Sequence, residues 1–184
     1  STLDPELGAL VRTELSDHGV EVITHTTVHA VHKTNTGAVV TGTRNGEQFT
    51  RTADLVLAVV GVQPNSELLE RAGATIGPGG AVVVDDRMRT GLPHVWSAGD
   101  GIVTHHRLLG TTYLPLGTTS HKQGRIAGEN ALGGDRAFQG SVGTQVVKVF
   151  DLVAARTGLR DHDAQAGGYA PFTTSSAADD HKRY

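Results

Sequence analysis

The strongest chemical signal in the chain is the run Thr90-Gly-Leu-Pro-His-Val-Trp-Ser-Ala-Gly-Asp100. Gly91 and Pro93 punctuate a turn. Val95, Trp96 and Ala98 then suit a short buried strand, which Gly99-Asp100 closes. Glycine at that point lets a ligand come close to the backbone. Asp100 puts a carboxylate at the strand's carboxyl end, which is where open α/β sheets hold their ligands. Such a carboxylate can accept hydrogen bonds from a sugar or ribityl hydroxyl. A bare Gly-Asp would read as a strand end capped by an Asx turn. Thr90 and the Val-Trp-Ser-Ala strand at this distance favour the ligand reading.

Other chemistry-bearing residues are weaker candidates. His25, His29 and His32 fall on a strand-like segment, where residues i and i+4 share a face but lie far apart, and no acidic residue joins them at ligand spacing. They read as a solvated strand face, and no metal site is expected. His105-His106 reads as a loop pair after Asp100, and Asp85-Asp86 as a strand end. Ser97 lacks the Gly-x-Ser-x-Gly elbow of a hydrolase. The chain has no cysteine, so it carries no redox-active thiol and no disulfide.

The elements that would position Asp100 follow from the rest of the pattern. Asp4-Pro5-Glu6 is a helix start, and Leu7, Leu10, Val11 and Leu15 recur at helical spacing before Gly19. Val20 to Ile23 and Thr26 to Lys33 read as strands, with turn signals at Asn35-Thr36-Gly37 and Asn45-Gly46. Residues 20–52 therefore read as an antiparallel meander. Asp54 to Val60 is continuously apolar after its first residue, as in a strand buried on both faces of a parallel sheet. Ser66 to Ala72 predicts a short helix with Leu68 and Leu69 inward, and Ala81 to Val84 a strand after the Gly77-Pro-Gly-Gly80 turn. A helix is predicted over 118–132, with Ser120, Gly124, Ala127, Gly128 and Ala131 forming a small-residue face for close packing. Residues 140–156 are β-rich and open a new domain.

Composition narrows the class. Glycine, at 24 of 184 residues, suits an α/β nucleotide-binding protein with many tight turns. A formal charge of −3 with mixed signs gives no basic footprint, which argues against nucleic acid. No apolar run reaches membrane-spanning length, so no membrane partner is expected. These features and the lack of cysteine point to the cytoplasm. No G-x-G-x-x-G turn occurs, so the chain is expected to begin within a domain whose first half lies upstream.

Several motifs together resemble the FAD-dependent pyridine nucleotide–disulfide oxidoreductases, most closely the coenzyme A-disulfide reductase and NADH oxidase branch. Thr90 to Asp100 resembles that family's second flavin fingerprint. Thr2-Leu-Asp-Pro-Glu6 resembles the helix start after the nicotinamide phosphate loop, and Ala58-Val-Val-Gly-Val-Gln-Pro-Asn65 the crossing back to the flavin domain. Leu114 to Arg125 resembles the branch's flavin-facing segment. Val142-Gly-Thr144 with Lys148-Val-Phe-Asp-Leu152 resembles the opening of its dimerisation domain.

The resemblance implies an α/β fold: part of a flavoprotein with two Rossmann-like FAD/NAD(P)-binding domains, plus the start of an α+β dimerisation domain. The implied divisions are residues 1–64 for the C-terminal half of the NAD(P)-binding domain, 65–136 for the returning flavin-domain segment and 137–184 for the dimerisation domain. It implies FAD and NAD(P)H as cofactors, a small-molecule disulfide, persulfide or oxygen as electron acceptor, and a homodimer. Asp100 would hold the ribityl chain, with Gly99 and Gly101 admitting the cofactor. Leu116, Gly117 and Thr118 would lie near the flavin's pyrimidine edge, where a helix N-terminus offers N–H groups and partial positive charge. Lys122 and Arg125 either add to that field or are solvated surface charges. Tyr184 matches a tyrosine that reaches the partner subunit's active site, a catalytic role. Two alternatives stay open: a non-catalytic nucleotide-binding or assembly domain, and a ferredoxin- or nitrite-reductase-type relative on the same scaffold.

Overall fold

The computed structural model describes residues 3–176. Tyr184 lies outside the described residues. Contacts divide the chain into two compact units. One comprises residues 9–62 with 149–152; the other comprises 63–148 with the stretches 3–8 and 153–176.

Helix α1 (Pro5–Asp17) starts as its sequence dictates, with the Gly8 N–H bonded to the Asp4 carbonyl at 2.9 Å. It ends where Gly19 breaks it and Val20 N–H returns to the Leu15 carbonyl at 2.9 Å. The meander follows: β1 (Thr26–Lys33), β2 (Ala38–Arg44) and β3 (Glu47–Ala53) pair antiparallel in the order β1-β2-β3. Asn45 and Gly46 both have positive φ, 51° and 88°, as the two-residue hairpin turn requires. A bulge interrupts β1 between Val28 and Ala30. His25, His29 and His32 are all exposed, and the His29 ring nitrogen Nε2 lies 3.2 Å from Thr43 Oγ1.

Two expectations fail in this unit. Val20 to Ile23 is irregular, not a strand. Asp54 to Val60 is also irregular, and it is open to solvent, with Val60 95% exposed. A strand meant to be buried on both faces needs parallel neighbours for its backbone groups and apolar covers for its side chains. Among the described residues none pairs with it.

The second unit contains the core: Ala74, Val82, Met88, Ile102, Ile126 and Phe138, flanked by half-buried Leu69, Leu92 and Trp96. Helix α2 (Glu67–Arg71) packs Leu69 against this core, but Leu68, expected to face inward, is 80% exposed. A helix of barely more than one turn has room to bury only one of two adjacent leucines. Ala81 to Val84 and Val95 to Ala98, expected as strands, form only isolated bridges: Ile76–Val82, Val82–Ile102 and Arg89–Trp96. Ala81 and Val82 are nonetheless fully buried, so the apolar pattern marked burial correctly and regular pairing incorrectly.

His105-His106, expected in a loop, instead belongs to the hairpin of β4 (Thr104–His106) and β5 (Gly110–Thr112). His106 is buried, and its Nδ1 accepts the N–H groups of Leu108 and Leu109 at 3.3 Å each. Helix α3 (Gly117–Ala131) comes next, then the paired strands β6 (Gln145–Val149) and β7 (Leu152–Arg156), and helix α4 (Asp161–Ala166).

The buried face of α3 differs from the expected one. Thr119, Gln123, Ile126 and Asn130 face inward at i, i+4, i+7 and i+11. Of the expected small-residue face, Gly124, Gly128 and Ala131 are exposed. A Cβ built at Gly124 or Gly128 meets nothing within 4 Å.

Candidate functional site

Gly99, Asp100 and Gly101 form a single 3-10 turn between Ala98 and Ile102. Gly99 takes φ +87°, a conformation that side chains rarely adopt, so the turn depends on this glycine. Asp100 is exposed at its tip. The turn is held against α3 by two polar contacts. The Gly99 N–H donates to Gln123 Oε1 at 3.2 Å. The Ser120 hydroxyl donates to Asp100 Oδ1 at 2.5 Å and lies 3.0 Å from the Leu116 carbonyl. Gln123, only 1% exposed, spends its other end on Thr104 Oγ1 at 3.1 Å.

Leu116, Gly117 and Thr118 form the start of α3. Leu116 sits at the cap position with extended backbone and no side-chain cap, and its carbonyl accepts the N–H groups of Thr119 and Ser120, both at 2.9 Å. The N–H groups of Gly117 and Thr118 lie ahead of those bonds, at the positive end of the helix dipole. A cleft of about 600 Å³ opens here, its lining including Leu116, Gly117, Thr118 and Lys122. Another, of about 660 Å³, runs along Arg89 to Trp96 and does not include Asp100.

Tyr113, a residue expected to pack or to border the cofactor, adds a further group. Its ring lies against Gly79, but its hydroxyl is buried and meets no hydrogen-bond partner among the described residues. Burial, and secondarily the charge of Asp100, push its pKa up from the ordinary phenol value, so the hydroxyl holds its proton more tightly. A buried hydroxyl without a partner is costly, and such groups call for an explanation. Ser120 and Gln123 were also missed as site residues. The available signal was their i, i+3 spacing on the helix after Gly99-Asp100, with one hydroxyl and one amide able to serve a carboxylate and a turn N–H.

Two other charged groups have structural roles. Burial would raise the Asp85 carboxyl, but N–H groups of Arg89 and Arg87 and the Arg89 guanidinium hold it below the ordinary carboxylate range. Glu14, His18 and Asp151 bring their ligand atoms within 4.8 Å of one another. Their arrangement is accounted for by the Asp151 N–H bonded to Glu14 Oε1 at 2.9 Å and the His18 ring stacked on Phe150 at 3.9 Å.

A carboxylate beside a glycine turn and an uncapped helix start make up a nucleotide-cofactor type of site on an α/β scaffold. Comparison with known proteins identifies the family. Residues 1–124 match the family "Pyridine nucleotide-disulphide oxidoreductase", and the chain belongs to that family. It is 32% identical over 169 residues to a Pyrococcus furiosus "NAD(P)H sulfur oxidoreductase (CoA-dependent)", covering 91% of this chain and 37% of that protein. A solved "NAD-Dependent Persulfide Reductase from A. fulgidus" superimposes with a TM-score of 0.82 at 37% identity, over 91% of this chain and 30% of that one. A "FAD-dependent pyridine nucleotide-disulphide oxidoreductase from Desulfovibrio vulgaris" gives a TM-score of 0.82 at 33% identity, over 91% and 42%. The fold is thus part of that family's α/β architecture. The chain spans about a quarter to a little over a third of the length of the first curated relatives it matches.

Proposed function

We propose that this chain is the central to C-terminal portion of an FAD-dependent NAD(P)H oxidoreductase that passes electrons to a small-molecule disulfide or persulfide, such as coenzyme A disulfide, or to oxygen. The sulfur acceptors are favoured by two of the relatives named above, a sulfur oxidoreductase and a persulfide reductase. The observation that carries the reading is Asp100, exposed on a glycine turn that is tied to the helix starting at Gly117.

The residues fit a flavin on several counts. Asp100 can accept from a ribityl hydroxyl, and a Cβ built at Gly101 or Gly117 meets nothing within 4 Å, so a ligand can approach both. The Tyr113 hydroxyl, buried and without a hydrogen-bond partner among the described residues, feels the charge of Asp100. The Gly117 and Thr118 N–H groups would stabilise negative charge on the reduced pyrimidine edge. When bound, FAD supplies the two-electron step between nicotinamide and acceptor. The chain's own part is to hold the ribityl chain, orient the ring and set the field at its pyrimidine edge. In this reading residues 1–64, 65–136 and 137–184 belong to the NAD(P), flavin and dimerisation domains of a cytoplasmic homodimer, and Tyr184 reaches the partner's active site. Among the described residues no helix is long and apolar enough to cross a membrane.

The test is Asp100→Ala in the full-length protein. A hydrogen bond to a charged carboxylate contributes about 1.5–3 kcal/mol, so flavin affinity should fall roughly ten- to hundredfold. Unchanged flavin stoichiometry after dialysis would reject the assignment.

A further inference from the structure

We propose that Ser120 is a positioning residue that sets the Asp100 carboxylate for the flavin's ribityl chain. The inference rests on the reading that Asp100 holds that chain. The Ser120 hydroxyl has one proton and two acceptors in reach, Asp100 Oδ1 at 2.5 Å and the Leu116 carbonyl at 3.0 Å. The shorter contact, to the charged group, lies in the range of a charge-assisted O–H···O⁻ bond. The hydroxyl therefore commits Oδ1 and leaves Oδ2 to accept from a ligand.

Asp100 needs such a restraint. It is exposed on a one-turn 3-10 segment, and a free carboxylate there would have to give up its rotamer freedom on binding. Ser120 removes part of that freedom in advance. Three residues further along the same helix, Gln123 fixes the backbone of the turn through the Gly99 N–H. Side chain and backbone of the Gly99-Asp100 turn are thus both set by α3, whose first turn carries Gly117 and Thr118. The turn that carries the ribityl acceptor is tied to the helix that carries the pyrimidine-edge donors. The competing view is that Ser120 only back-bonds to Leu116, as helical serines often do.

The experiment measures dissociation constants of the full-length apoprotein for FAD and for lumiflavin, which has the same ring system but no ribityl chain. Ser120→Ala should weaken FAD about three- to tenfold and leave lumiflavin unchanged. Ser120→Thr, which keeps the hydroxyl, should restore FAD binding. In an Asp100→Asn background, Ser120→Ala should add little, because the shared interaction is already altered. Equal weakening of both ligands, or no weakening of FAD, would overturn the positioning role. If Asp100→Asn itself leaves FAD affinity unchanged, the ribityl reading fails and the inference falls with it. Loss of FAD on Asp100→Asn without any effect of Ser120→Ala sinks the inference alone.

Discussion

Asp163 shows how one side chain can carry a readable pH dependence. Its carboxylate takes Arg160 Nε at 2.6 Å and Nη2 at 2.7 Å, with Arg156 Nη1 at 3.8 Å. The Arg160 hydrogen bonds lead and outweigh burial, holding the carboxyl down at about 2 against an ordinary 3.8. A depressed carboxyl stabilises the folded state fully above its unfolded value, and that contribution fades as pH falls through about 4 towards 2. The pair is partly solvated, so the contribution is about 1 kcal/mol after screening. Asp163→Asn should lower the urea midpoint at pH 6, and the loss should shrink steadily as pH falls below about 4 and through 2. A loss that stays constant over that range would mean that the carboxylate's charge is not what matters. The same residue scale explains why the Gly99-Asp100 turn stood out in the sequence and its contacts to Ser120 and Gln123 did not. A Gly-Asp after an apolar run has a pattern, whereas Ser120 and Gln123 act through one atom each and fit equally well as unremarkable helix residues.

Helix α3 is the element on which most of this depends, and the sequence located it to within one residue at each end. The stop at Gly133-Gly134 and a run of small and polar residues between it and Thr118 sufficed for that. Its orientation was misread because small size was taken as the mark of burial. What the structure buries is mostly polar: Thr119, Gln123 and Asn130, each with partners that lie far away in sequence. Asn130 ties the helix end down, donating to the carbonyls of Arg87 at 2.9 Å and Arg136 at 2.8 Å and accepting the Arg136 N–H at 2.8 Å. Asn130→Leu should cost about 2–3 kcal/mol, since it strands buried backbone groups. A urea melt of the chain checks this, and a change below half a kcal/mol would deny Asn130 the role. Gly124 gives the opposite test. It is helical, exposed and faces open space, so Gly124→Ala in the 184-residue chain should stabilise it by about 0.5–1 kcal/mol. Destabilisation would mean that the small face is covered in solution. The strands at 54–60, 81–84 and 95–98 failed for a related reason: β structure is completed by partners, and apolar runs report burial but not pairing.

At the scale of the molecule, the open apolar segment at 54–62 sets what the 184-residue chain can do alone. Leu55, Leu57, Val59, Val60 and Val62 are all exposed, five large apolar side chains within eight residues. A contiguous apolar stretch of this kind invites association, and its unpaired backbone offers a template for another strand. The chain should therefore bind a hydrophobic dye and sediment partly as oligomers, and Val60→Lys should reduce both. Turnover asks for more than solubility. Hydride transfer needs both dinucleotides held face to face, each with its pyrophosphate on a glycine-rich turn at a helix start, and the sequence contains no G-x-G-x-x-G. In the proposed reading, Asp100 and the α3 start would supply only the ribityl and pyrimidine side of one such site. With excess FAD, the 184-residue chain should accordingly oxidise NADH and NADPH no faster than free flavin does, with oxygen or coenzyme A disulfide as acceptor. Absorbance at the nicotinamide band follows the reaction directly. Saturable oxidation well above the free-flavin rate would show that this portion builds a complete electron-transfer site without those turns.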